Sequence, residues 1–250
     1  LRGYFLLRDP VGTSTGQQSA HGSYFDRVSA FQEGFDSGPD ACRDNFGRDR
    51  LFTQGSFRDD DEALSGGNAG YAELLRIVDT SLPAVWEQAF RDVFDETFTA
   101  PDIRSFDGEA PACSPDTDRD LVYCSEATLV AFDESDLARP AYELGDFAVA
   151  TAVAIPYSLS VRDQLGRSVD DENAFRSALC LTGWYAAKVF NGQAGGVSIS
   201  PGDLDESVQF LLIYGTSPTV VPDVELSGFQ QVDLFRSGFV EGLGSCDVGA

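Results

Sequence analysis

Residues 145–166 constrain the fold more than any other stretch of this 250-residue chain. Their centre, Ala148-Val149-Ala150-Thr151-Ala152-Val153-Ala154-Ile155, presents no polar face at either periodicity, so whatever it forms is buried. The pattern alone leaves a buried helix and a buried strand equally open. With 42% hydrophobic and 12% aromatic residues, the chain can enclose such an element in one domain, or in one domain with an appendage.

The flanking elements are easier to read. Leu74, Leu75, Val78, Leu82, Val85, Trp86, Ala89, Phe90 and Val93 fall at helical spacing over 71–94, where Pro83 either starts a second helix or kinks a single one. Helices are also predicted over 171–191, 203–214 and 229–242, and short strands over 103–106, 121–124 and 127–132. Over 23–36, Phe25, Val28, Phe31 and Phe35 form an apolar helical face that stops at Gly38-Pro39; it is read either as core or as a partner-binding surface. Residues 1–22 read as a mobile lead-in, and the acidic run Asp59-Asp60-Asp61-Glu62 as a solvated linker. One internal echo occurs: Phe31-x-x-Gly34-Phe35-x-x-Gly38-x-x-x-Cys42 matches Phe235-x-x-Gly238-Phe239-x-x-Gly242-x-x-x-Cys246. It suggests two aromatic helices packing across Gly34 and Gly238, with chance or a shared docking mode as the alternatives.

Charge and residue usage narrow the function. Seventeen Lys and Arg against 41 Asp and Glu give a net charge of −24, a field that repels phosphate backbones and argues against nucleic-acid partners. His21 is the single histidine, so any mechanism needing two from one chain is excluded, and a serine triad would rest its base on the lead-in. No apolar run is long enough to span a bilayer. The chain contains no Met and opens on Leu1, which is expected of a processed product whose signal or anchor lay upstream. Of five cysteines, Cys113 and Cys124 bracket a short polar loop, and a bond between them is worth roughly 2–3 kcal/mol. One further bond among Cys42, Cys180 and Cys246 is expected, most of all at Cys246. Such usage fits an oxidising, extracytoplasmic compartment.

From about Leu74 onward a series of landmarks resembles the bacterial neutral zinc metallopeptidase family, a zincin-like group. They are Trp86, Cys113, Tyr123-Cys124, Gly145-Asp146-Phe147-Ala148 closing at Leu165-Gly166, and Cys180-Leu181-Thr182-Gly183-Trp184-Tyr185-Ala186. Ser200-Pro201-Gly202-Asp203-Leu204-Asp205-Glu206-Ser207, Phe235-Arg236-Ser237-Gly238-Phe239 and Cys246 follow in the same order. The resemblance implies a mostly helical α+β domain over 70–250 with a small β-element, preceded by an N-terminal helical extension over 23–69. It also places the family's zinc chemistry residue by residue. Without a gap, the first His of His-Glu-x-x-His falls on Ile155, the Glu on Pro156 and the second His on Leu159, while the Glu ligand of the next helix falls on Phe175. A hydrolytic zinc needs imidazoles on one helical face, a third ligand and a carboxylate base. Ile, Leu and Phe have no lone pair to offer, so the resemblance implies a pocket refilled as core, with no zinc.

The remaining chemistry is sparse. Asp116, Asp118 and Asp120 alternate as calcium-loop ligands do, but Leu121 and Ala127 occupy the positions where such a loop has Gly and Glu; a solvated acidic loop is the plainer reading. Gly145-Asp146 reads as a helix start with an acidic cap. The leading expectation is a non-catalytic homologue of a metallopeptidase that binds a protein or envelope component, within a membrane-associated assembly. The alternative is a hydrolase acting elsewhere, for example through an Asp-bound metal.

Overall fold

The computed structural model describes residues 2–47, 50–114, 116–222 and 224–249. It resolves the central segment as a helix, α5 (Asp146–Gln164), in which every residue from Phe147 to Arg162 is buried. Length decides between the two options. Nineteen residues make a helix of roughly 28 Å, whereas a strand would run roughly 60 Å, far across a domain this size. The hydroxyls inside α5 return to backbone: Thr151 donates to the Phe147 carbonyl at 2.8 Å and Ser158 to the Ala154 carbonyl at 2.7 Å. Pro156 lies within the helix, which continues through it although the ring has no N–H to donate.

Three helices and a small sheet surround α5. They are α3 (Tyr71–Ala89), α6 (Glu172–Phe190), α7 (Asp203–Ile213) and strands β1 (Asp102–Phe106), β2 (Leu121–Cys124) and β3 (Leu129–Asp133). The sheet order is β1-β3-β2, with β1 parallel and β2 antiparallel to β3, and Cys124 opposite Leu129. Pro83 neither splits nor ends α3, which runs on into a wider turn over Phe90–Phe94. Trp86 is fully buried against Trp184 of α6, ring centres 4.9 Å apart. The architecture is mostly helical α+β, as expected. Among the described residues, no helix is long and apolar enough to cross a membrane.

The closest helix pair is α6 with α8 (Gly228–Glu241), reached through reciprocal glycines. A Cβ at Gly183 would lie 1.8 Å from the Phe235 carbonyl oxygen, and one at Gly238 would lie 1.8 Å from that of Cys180. Gly238 therefore faces α6, not Gly34. Gly34 instead leaves room for the Cys42 sulfur, so the two copies of the echo dock differently. Beside the α6–α8 contact, Cys180 bonds Cys246 across a separation of 66 residues, closing a loop worth about 4 kcal/mol in chain entropy. Cys113 bonds Cys124 as the loop length indicates, and Cys42 is an exposed free thiol. Titration of the native protein without reductant should find one reactive thiol, lost in Cys42→Ser; five would overturn both bonds and the compartment they imply.

The N-terminal region belongs to this body. Helix α1 (Tyr24–Asp44) starts with a capping box between Ser23 and Asp26 and breaks at Gly38 (φ 77°), after which Pro39 begins a last helical stretch in place of the expected stop. Phe25 and Val28 are buried, and the Phe25 ring meets Phe239 at 5.0 Å and Phe235 at 6.3 Å. Phe31 and Phe35 are not: they are 40% and 70% exposed, clustered with Phe229. The predicted apolar face is thus divided between core and surface. The lead-in packs as well. Tyr4 and Phe5 lie against the core, and Arg8 reaches Asp205 of α7 at 2.9 Å. In the acidic run, Glu62 of α2 (Asp60–Ser65) is 9% exposed, accepting from Ser200 at 2.9 Å and pairing with Arg58. It is a tie between elements, not part of a solvated linker.

Candidate functional site

The positions to which the resemblance assigns zinc chemistry are apolar and enclosed. Ile155 is 1%, Leu159 6% and Phe175 8% exposed, and all three belong to the main core with Pro156 buried between the first two. Leu159 on α5 and Phe175 on α6 line one small hollow of about 160 Å³ together with Leu121 and Tyr123 of β2, and with Arg119 and Asp170. Tyr123 donates from its hydroxyl to Asp163 at 2.8 Å, and burial together with that carboxylate pushes its pKa up. Nothing at Ile155, Leu159 or Phe175 can donate a lone pair.

The candidate calcium loop is not assembled into a ligand set. Asp116 turns to Arg119 at 2.8 Å, Asp118 is exposed, and Asp120 accepts from Thr219 across the loop. Each carboxylate that alternated in sequence has gone its own way because the loop is tied to the segment after α7, where the Pro218 carbonyl takes a further bond from Arg119. His21 lies on the surface 3.5 Å from Asp9.

A different acidic group is assembled, and it lies where two helices begin. Asp146 is the first residue of α5 and Asp203 the first of α7, each preceded by a glycine at positive φ: Gly145 at 139° and Gly202 at 107°. Glu206, one turn into α7, reaches across to the start of α5 and accepts from the Phe147 N–H at 2.9 Å. The φ of 139° at Gly145 is one that other residues rarely adopt, and a Cβ there would also press on the Glu206 carboxyl, 1.9–2.2 Å away. Asp203 accepts from the Ser200 N–H at 2.7 Å through Oδ2, and Asp146 from the Ala69 N–H at 2.7 Å through Oδ2. One oxygen from each of the three carboxylates lies within 4.8 Å of the other two. Among the described residues, no other group of three or more such ligands converges in this way.

The electrostatics follow from burial. Asp203 is 5% and Glu206 6% exposed, while Asp146 is partly buried. Desolvation, with the neighbouring carboxylates adding to it, raises Asp203 well above the usual range and pushes Glu206 up to about 8, and desolvation alone raises Asp146. No arginine or lysine pairs with any of the three among the described residues: Arg58 goes to Glu62 and Arg8 to Asp205. Asp146 and Asp203 also line a cavity of about 410 Å³ together with Asn68, Ser200 and Tyr185, which gives the cluster a way out. In the sequence Asp146 and Asp203 carried a signal as helix starts, and all three residues lie in landmarks of the resemblance, but nothing there joined them into one group. That the two starts face one another is a tertiary fact. No protein-family model, no curated protein and no solved structure matches this chain.

Proposed function

We propose that the chain is a non-catalytic, metallopeptidase-like domain that acts outside the cytoplasm as an accessory subunit, binding a protein or an envelope component. The observation that carries this reading is that buried apolar side chains, Leu159 and Phe175, stand side by side at the positions where the resemblance calls for two of the zinc ligands. Two disulfides support the oxidising compartment. The exposed rings of Phe31 and Phe35, gathered on Phe229, are the surface most suited to a partner, because large aromatics left in water supply binding energy once covered. Purified protein supplied with zinc should retain none after dialysis and cleave no peptide above background; cleavage sensitive to a zinc chelator would overturn the proposal. Phe35→Asp should leave the melting temperature unchanged and abolish capture of a partner from solubilised membranes.

A hydrolase using an Asp-bound metal is the second reading, and the convergence of Asp146, Asp203 and Glu206 is the observation in its favour. Esterase and phosphatase activity that appears with a divalent cation and vanishes in Asp203→Asn would select it.

A further inference from the structure

We infer that Asp146, Asp203 and Glu206 form a binding site for one hard divalent cation, calcium in chemical class, that locks the starts of α5 and α7 together. The inference stands whether or not the domain descends from a peptidase, and it assigns the cation no catalytic step.

Three observations carry it. The first is convergence: three carboxylates from two helices place an oxygen each within 4.8 Å of the others. Two oxygens on opposite sides of Ca²⁺ are separated by about 4.6–5.2 Å, so one ion can touch all three. The second is the state of the oxygens. Asp203 is over nine-tenths buried, yet its Oδ1 accepts no hydrogen bond, and neither does Oδ1 of Asp146. No protein donor reaches these two atoms, so each keeps lone pairs free to meet a cation. The third is provision of space. The chain places Gly145 where any side chain would collide with the Glu206 carboxyl, so that this group can stand at the site.

The ligand chemistry selects the ion. All three groups are carboxylates, with no thiolate or imidazole beside them, which disfavours zinc and copper and favours oxygen-seeking cations. Three charges on an irregular set of ligands suit Ca²⁺, which takes 6–8 oxygens in flexible geometry, better than Mg²⁺ with its strict octahedron. Water from the adjoining cavity completes the shell. The second carboxylate oxygens are already held by the backbone of Ala69, Ser200 and Phe147, so the site is oriented before the ion arrives. Through Ala69 the lock extends to the loop after α2, and through Ser200, which donates to Glu62, to α2 itself.

The test is a thermal melt of chelator-stripped protein with CaCl₂ or MgCl₂ added. Affinity should lie in the range of extracellular calcium modules, about 10⁻⁴–10⁻³ M. At roughly tenfold excess over the dissociation constant, calcium should raise the melting temperature by about 3–6 °C and magnesium by much less. Asp203→Asn and Glu206→Gln should abolish the calcium shift while matching the stripped wild type, because each keeps an amide oxygen to accept from the Ser200 or Phe147 N–H. Asp116→Asn with Asp118→Asn should keep it. Should those variants fail to fold, Tb³⁺ luminescence of the wild type, excited through tyrosine and displaced by Ca²⁺, reports the same site through the nearby Tyr185. No calcium shift together with no terbium signal would overturn the inference. So would a shift that survives in Asp203→Asn and Glu206→Gln, or one lost in the Asp116/Asp118 variant.

Discussion

Deletion of residues 1–48 should abolish the cooperative thermal transition. Tyr24, Phe25 and Val28 are each no more than 2% exposed, and at roughly 1.5–3 kcal/mol apiece their burial contributes about 5–9 kcal/mol. The whole stability of such a domain is about 5–15 kcal/mol. The deletion does further damage on the other side of the contact. It uncovers Phe235 and Phe239, and it leaves Asp205 buried without Arg8 and without the Phe25 N–H that donates to it at 2.9 Å. Circular dichroism on the truncated chain is the measurement. An unchanged melting temperature would mean that α1 is an ornament on a body complete without it.

Gly238→Ala should be nearly as damaging for one carbon atom. The new methyl would lie 1.8 Å from a backbone oxygen of α6, which cannot rotate away, so the helices must part. The expected cost is about 3 kcal/mol, seen as a fall of about 6–12 °C in melting temperature. Gly34→Ala is the matched control. Its methyl would meet the Cys42 sulfur at 2.7 Å, a side-chain atom able to swing aside, and the loss should stay under about 1 kcal/mol. Equal losses at the two sites would restore the idea that both copies of the echo dock alike.

The contrast between these glycines also shows where sequence reading reaches. Local periodicity was sufficient for α3 and α8, each with one buried side and one wet one; α6, α7 and the three strands were also placed, although α6, α7, β2 and β3 are buried almost all round. It could not decide α5, whose entire circumference is buried and which therefore offers no face to detect. Loop length was enough for Cys113–Cys124, while Cys180–Cys246 depended on how α6 meets the end of the chain. The lead-in and Glu62 were misjudged for a common reason. Gly, Ser and Asp look solvated in composition, and what anchors them, Asp205 for Arg8 and Ser200 for Glu62, lies far along the chain. The carboxylate cluster was hidden in the same way, since Asp146 and Asp203 each explained themselves as helix starts.

The enclosure of α5 has a consequence for how this protein can change over time. A substitution there is felt first as a volume error by α3, α6, α7 or the sheet, before any surface can alter. The helix is thus the part of the chain least free to vary, whatever the domain does. Novelty in recognition has to arise at the margin, on the outer turns of α1 and at 107–109 and 116–118, where a new side chain meets solvent before it meets a neighbour.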